Sequence, residues 1–134
     1  SRGLGDEYKR QLQSFEQIGM GHTVGESLTQ KFEFIVDEKV FFTEAFRSDD
    51  RNSLKEHDFE LILQFYQDLI GRKTSRPLGE DLQFLLEMYC RGSVYMTVKW
   101  VLTGMKDSPA KMSKKLVEAM PPRLAAVFDE LKLL

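Results

Sequence analysis

Cysteine is almost missing from this chain of 134 residues: Cys90 stands alone, so no internal disulfide can form, and a reducing compartment fits best. Histidine occurs twice, at His22 and His57, too few and too far apart for zinc-ligand spacing. Neither His-Glu-x-x-His nor Cys-x-x-Cys is present. Basic charge is not in excess either. Nineteen Lys and Arg face twenty-one Asp and Glu, for a formal net charge of -2. Phosphate contacts need clustered cations, which argues against nucleic-acid binding by this stretch itself. No apolar run approaches the ~20 residues that span a bilayer, and no signal-peptide pattern opens the chain. Phosphate-cradling glycine loops and nucleophile elbows are also missing. These absences predict a cytoplasmic, non-enzymatic domain with no catalytic residues, metal, cofactor or membrane attachment.

What is present is helical periodicity, and strand-like alternation of useful length is absent. Glycine and proline fall between the periodic segments, where helix punctuation belongs. The pattern predicts one all-α domain over residues 1–134, an antiparallel bundle of about six to seven helices. The first covers about Asp6 to Ile18, with Tyr8, Leu12, Phe15 and Ile18 on one face. Thr23-x-x-Glu26 and Ser27-x-x-Gln30 are both capping-box patterns, and one of them opens the next helix. A break at Asp37 precedes a short aromatic helix from Val40 to Phe46. Ser53-x-x-Glu56 predicts a capped start for a helix that Gly71 stops. Lys55 to Asp58 reads as a solvated turn.

A long helix then runs from near Leu78 to Gly104, roughly 40 Å at 1.5 Å per residue. It is apolar nearly all round. Leu82, Leu86, Tyr89, Ser93, Met96 and Trp100 make one face, and Leu85, Met88, Gly92, Tyr95 and Leu102 another. A surface helix needs only one apolar stripe. Either this helix is buried all round inside the monomer, or its second face meets a twofold mate. Gly92 costs about 1 kcal/mol relative to alanine in mid-helix, which suggests a close crossing of another helix. Ser108 followed by Pro109 starts the next helix, ending near Met120. Pro121-Pro122 breaks it, and Arg123 to Leu133 forms the last.

The order Tyr89-x-x-Gly92, Trp100-x-x-x-Gly104, Ser108-Pro109 and Met112, with "DEKVFFTEAF" upstream, resembles the C-terminal part of TetR-type transcriptional regulators. The nearest group is the short one containing regulators similar to the dihydroxyacetone-kinase activator. The likeness runs from about Gly25 to Met120. It implies a TetR C-terminal-domain fold with two duties, effector binding and homodimerisation. Operator DNA is then read by a separate N-terminal helix-turn-helix module, which the short, weakly basic segment Gly5 to Gly19 does not supply. The family pairs its last two major helices across a twofold axis, which implies an interface of Leu85, Met88, Gly92, Tyr95, Met112 and Leu116. Its inducer cavity lies among these helices. Together with the density of aromatics, that implies a small-molecule pocket bordered by Phe42, Phe65, Tyr66, Tyr89, Ser93 and Met96, with Thr97 as a further polar contact. The alternative is a helical adaptor that binds protein and no small ligand.

Overall fold

A computed structural model describes residue 18 and residues 20–134. The expected helix from Asp6 lies outside the described residues. Six helices follow in order: α1 (Val24–Asp37), α2 (Lys39–Arg47), α3 (Arg51–Thr74), α4 (Glu80–Leu102), α5 (Pro109–Glu118) and α6 (Pro122–Glu130). Among the described residues there is no strand, only an isolated bridge between Ile18 and His22. The all-α architecture expected from the periodicity is what the chain adopts.

Local signals set most helix ends. Of the two possible capping boxes, Thr23 and Glu26 form the real one. The Glu26 amide donates to Thr23 Oγ1 at 3.2 Å, and the Thr23 amide donates to Glu26 Oε1 at 2.9 Å. This satisfies two backbone donors at the helix start. The bond from the Thr23 backbone, with that from its hydroxyl, holds the Glu26 carboxyl below its ordinary range. Glu38 supplies the one-residue break between α1 and α2.

At the end of α4, Gly104 takes φ +98°, a left-handed conformation that glycine adopts without steric cost. The Met105 amide then reaches the Trp100 carbonyl at 2.8 Å, and the Gly104 amide reaches Val101 at 3.2 Å. That pair of bonds is a Schellman closure. Ser108 caps α5 by accepting from the Lys111 amide at 3.2 Å, with Pro109 in the first turn.

Both expected ends of α3 need correction. The helix starts at Arg51, where its amide closes a tight turn onto the Ser48 carbonyl at 3.2 Å, so Ser53 lies inside the first turn and caps nothing. It also runs through Gly71 to Thr74. A mid-helix glycine costs only about 1 kcal/mol, and flanking burial of Leu69 and Ile70 offsets it. The stop is Ser75, in the left-handed region at φ +58°.

α4 is the spine. α3 packs along one flank, and α2 and α6 contact it elsewhere. α1 lies most closely on α5. There Ser113 Oγ donates to the Gly25 carbonyl at 2.6 Å, and a Cβ on Gly25 would stand 3.7 Å from Val117. The core between these layers holds Phe32, Ile35, Leu86, Val101, Leu124 and Phe128, all fully buried. Phe32 meets Trp100 edge-on at 5.3 Å, and Tyr66 meets Phe128 at 5.5 Å. The C-terminal tail is tied back to α1 by the Val24 amide, which donates to the Leu133 carbonyl at 2.7 Å.

Candidate functional site

Residues 89, 93 and 97 are one helical turn apart, so α4 directs them to one side. Their hydroxyls form a ladder. Ser93 Oγ donates to the Tyr89 carbonyl and Thr97 Oγ1 to the Ser93 carbonyl, each at 2.7 Å. Tyr89 itself reaches across to α5, its phenol donating to the Leu116 carbonyl at 2.6 Å. Tyr66 from α3 and Lys31 from α1 complete the polar lining of a small chamber between the helices. Its volume is about 10 Å³, room for roughly one water molecule.

Behind the chamber lies a buried ion pair, Lys31 Nζ to Asp58 Oδ2 at 3.7 Å, with 5% and 8% of the side chains exposed. Asp58 Oδ1 and the hydroxyl of Ser27, one turn before Lys31, have no hydrogen-bond partner among the described residues. Burial pushes the Tyr66 phenol well up, with Tyr89 and Cys90 adding to the effect. Burial also raises Tyr89, Cys90 adding to it and the Ser93 hydrogen bond opposing it.

Cys90 follows the same physics. Burial lifts its thiol from 9.0 to about 12, Lys31 opposing and Asp58 and Glu87 adding to the shift. Because the thiolate is the reactive form, Cys90 should resist alkylation in the folded protein at pH 8 and react fully once the chain is denatured. The linkage has a definite sign. The raised folded value makes the neutral thiol a stabilising group below about pH 9, and that contribution is lost as pH rises from there through about 12. Urea titrations across that range should show stability falling with pH, with a shallower slope in Cys90→Val. Rapid native labelling would contradict the burial.

The six residues expected to border one pocket do not all meet. Tyr66, Tyr89 and Ser93 share the chamber, as does Thr97. Phe42 sits instead in an aromatic cluster with Phe41 at 5.2 Å, Phe34 at 5.9 Å and Phe46 at 6.2 Å. Phe65 is half-buried, edge-on to Tyr66 at 5.9 Å. Met96 is turned outward into a surface groove. Lys31 lines the chamber and Asp58 pairs with it, and neither is among the residues the sequence points to. Asp58 belongs to no solvated turn: it is buried against α1.

The outer face of α4 is apolar and open. Phe84 is 66% exposed, Met88 61%, Tyr95 60% and Met96 49%. Between them, a Cβ added to Gly92 would find no atom within 4 Å. Among the described residues no helix crosses Gly92, so the close crossing expected from the sequence is not made by them. Leu85 is half-buried beside this stripe, whereas Met112 and Leu116 lie in the core with an edge on the adjoining groove. That groove follows the α4–α5 seam. It measures about 250 Å³ near Met88, Gly92 and Met96, and about 400 Å³ further along, where Trp100, Lys99, Lys106 and Lys115 line it.

Among the described residues, no helix is long and apolar enough to cross a membrane, and no group of three or more His, Cys, Asp or Glu is placed to hold a metal ion. The fold and site therefore define an all-α bundle built around a hydroxyl-lined chamber, with one long helix presenting apolar surface outward. Residues 23–121 match the TetR-type "Transcriptional regulator C-terminal region", and the chain belongs to that family. No curated protein and no solved structure matches it.

Proposed function

We propose that this domain is the effector-responsive and dimerising part of a cytoplasmic TetR-type regulator, whose operator is read by a helix-turn-helix module elsewhere in the same regulator. The carrying observation is the contiguous exposure of Phe84, Met88, Tyr95 and Met96 around Gly92 on one helix. Exposed apolar patches of this kind mark interaction surfaces, and a twofold mate supplies the same patch in return. The effector is received between α3, α4 and α5, where Tyr66, Tyr89, Ser93 and Thr97 converge. Ligand pockets usually measure about 300–1,000 Å³. Binding therefore requires the α4–α5 seam to open, and the Tyr89–Leu116 hydrogen bond is the link that must break. The small chamber also favours a second reading, an adaptor that binds a protein and no small molecule.

Sedimentation of the unmodified chain should show a dimer over a micromolar concentration series. Gly92→Trp should weaken it without loss of helical content, since overpacking costs about 1–3 kcal/mol per site and the symmetry counts it twice. A chain that stays monomeric at high micromolar concentration removes the dimer. For the effector, native mass spectrometry should find a small-molecule adduct that Ser93→Trp abolishes. A bare mass, with melting unchanged across a metabolite panel, would return the domain to the adaptor reading.

A further inference from the structure

The outer stripe of α4 carries a charge at each end. Asp81 and Lys99 are eighteen residues apart, which is five turns at 3.6 residues per turn, so they point the same way. Between them the face holds Leu85, Met88, Gly92 and Met96. Gly92 lies within a turn of the midpoint. Read in either direction, the stripe runs charge, apolar, glycine, apolar, charge, and only the sign of the charge distinguishes the two ends.

The surroundings reinforce the signs. Beside Lys99, the groove adds Lys106 and Lys115. The acid among its lining residues is Asp107, already held by Lys115 at 2.6 Å and by Lys111 at 3.5 Å. The C-terminal end of the face is therefore cationic. At the other end Glu80 and Asp81 open the helix. Arg123 of the same chain approaches Asp81 at 3.6 Å but leaves 79% of that side chain exposed, so the carboxylate remains reachable from outside.

A second copy can lie across this face in two orientations. Parallel α4 helices would set Lys99 against the partner's Lys99 and Asp81 against the partner's Asp81. Antiparallel helices set each acid against the opposite base, about 27 Å apart along the axis. Like charges in contact destabilise and unlike charges fix register.

We propose that α4 pairs antiparallel with α4 of a second copy, crossing near Gly92, with Asp81 of each copy against Lys99 of the other. This rests on the dimer reading above and adds its direction and register. The test is charge reversal read by sedimentation equilibrium. Asp81→Lys and Lys99→Asp should each raise the dimer Kd roughly tenfold, because each creates two like-charge contacts. The double variant in one chain should return Kd to near the original. In a parallel dimer none of the three would move it, since each change replaces one like pair by another. Disulfide trapping gives an independent readout in a Cys90→Ser background. A mixture of Asp81→Cys and Lys99→Cys chains should yield mainly the mixed disulfide. Homodisulfides, or a Kd indifferent to all three reversals, would overturn the antiparallel register while leaving the dimer. A monomeric unmodified chain would overturn the dimer as well.

Discussion

Phe128→Ala should cost about 3–5 kcal/mol, the usual loss for removing a fully buried aromatic ring. Phe128 has no exposed surface and presents its edge to Tyr66 at 5.5 Å. Its carbonyl also accepts from the Leu133 amide at 2.9 Å, and the Leu133 carbonyl in turn accepts from Val24. The ring thus anchors the last helix at the point where the tail returns to the start of α1. Domains of this size have only about 5–15 kcal/mol of stability in all, so the variant loses a large share of it. A thermal melt followed by circular dichroism should fall by roughly 10 °C or more. Phe128→Leu, which keeps most of the apolar volume, should fall much less. If alanine at this position shifts the midpoint by only a degree or two, α6 is not packed as described.

The same residue shows what the sequence makes legible. Leu124 and Phe128 are four apart and both inward, as the helical period requires. The ends of α4 and α5 were equally readable, because Gly104 and Ser108-Pro109 act through their own backbone geometry and need no distant partner. Ser53 and Gly71 misled for the complementary reason. A capping box and a stop glycine are only local preferences. A turn closing at Ser48 and burial of Leu69 and Ile70 outweigh them, and both depend on tertiary context.

The chamber was half legible. Spacing sets Tyr89, Ser93 and Met96 on one side of α4, but it carries no information about how closely α3 and α5 approach. Phe42 and Phe65 join them only through the density of aromatics and the family's cavity, and packing sets both of these, and Met96 as well, apart from the chamber. Lys31 and Asp58 did leave a signal. Val24, Leu28, Lys31 and Ile35 step along α1 at the core period, and Leu54, Asp58 and Ile62 do so along α3. A charge in a core register on each of two neighbouring helices is the pattern of a buried ion pair. The charged run from Lys55 to Asp58 masks that register in the linear sequence.

That pair leads to the second large effect. Lys31→Met should cost about 3–5 kcal/mol, because Asp58 loses the ammonium 3.7 Å away and stays buried with one oxygen already unpartnered. Asp58→Leu should be comparably harmful, leaving the lysine charge without that carboxylate. The double variant Lys31→Met/Asp58→Leu should recover most of the loss and reach or exceed the original stability, since desolvating two ions costs about as much as their attraction returns. The double-mutant cycle, run by urea denaturation, then gives a coupling of roughly 3 kcal/mol or more. Additive single effects would show that the two charges do not act as a pair. Recovery in the double variant would also separate stability from function. Such a pair is dispensable for stability, and Lys31 lines the chamber. The stable double variant is therefore the protein in which to ask whether binding of the proposed effector needs a cation there. Binding that survives intact would remove Lys31 from the site and leave recognition to the hydroxyls of Tyr66, Tyr89, Ser93 and Thr97.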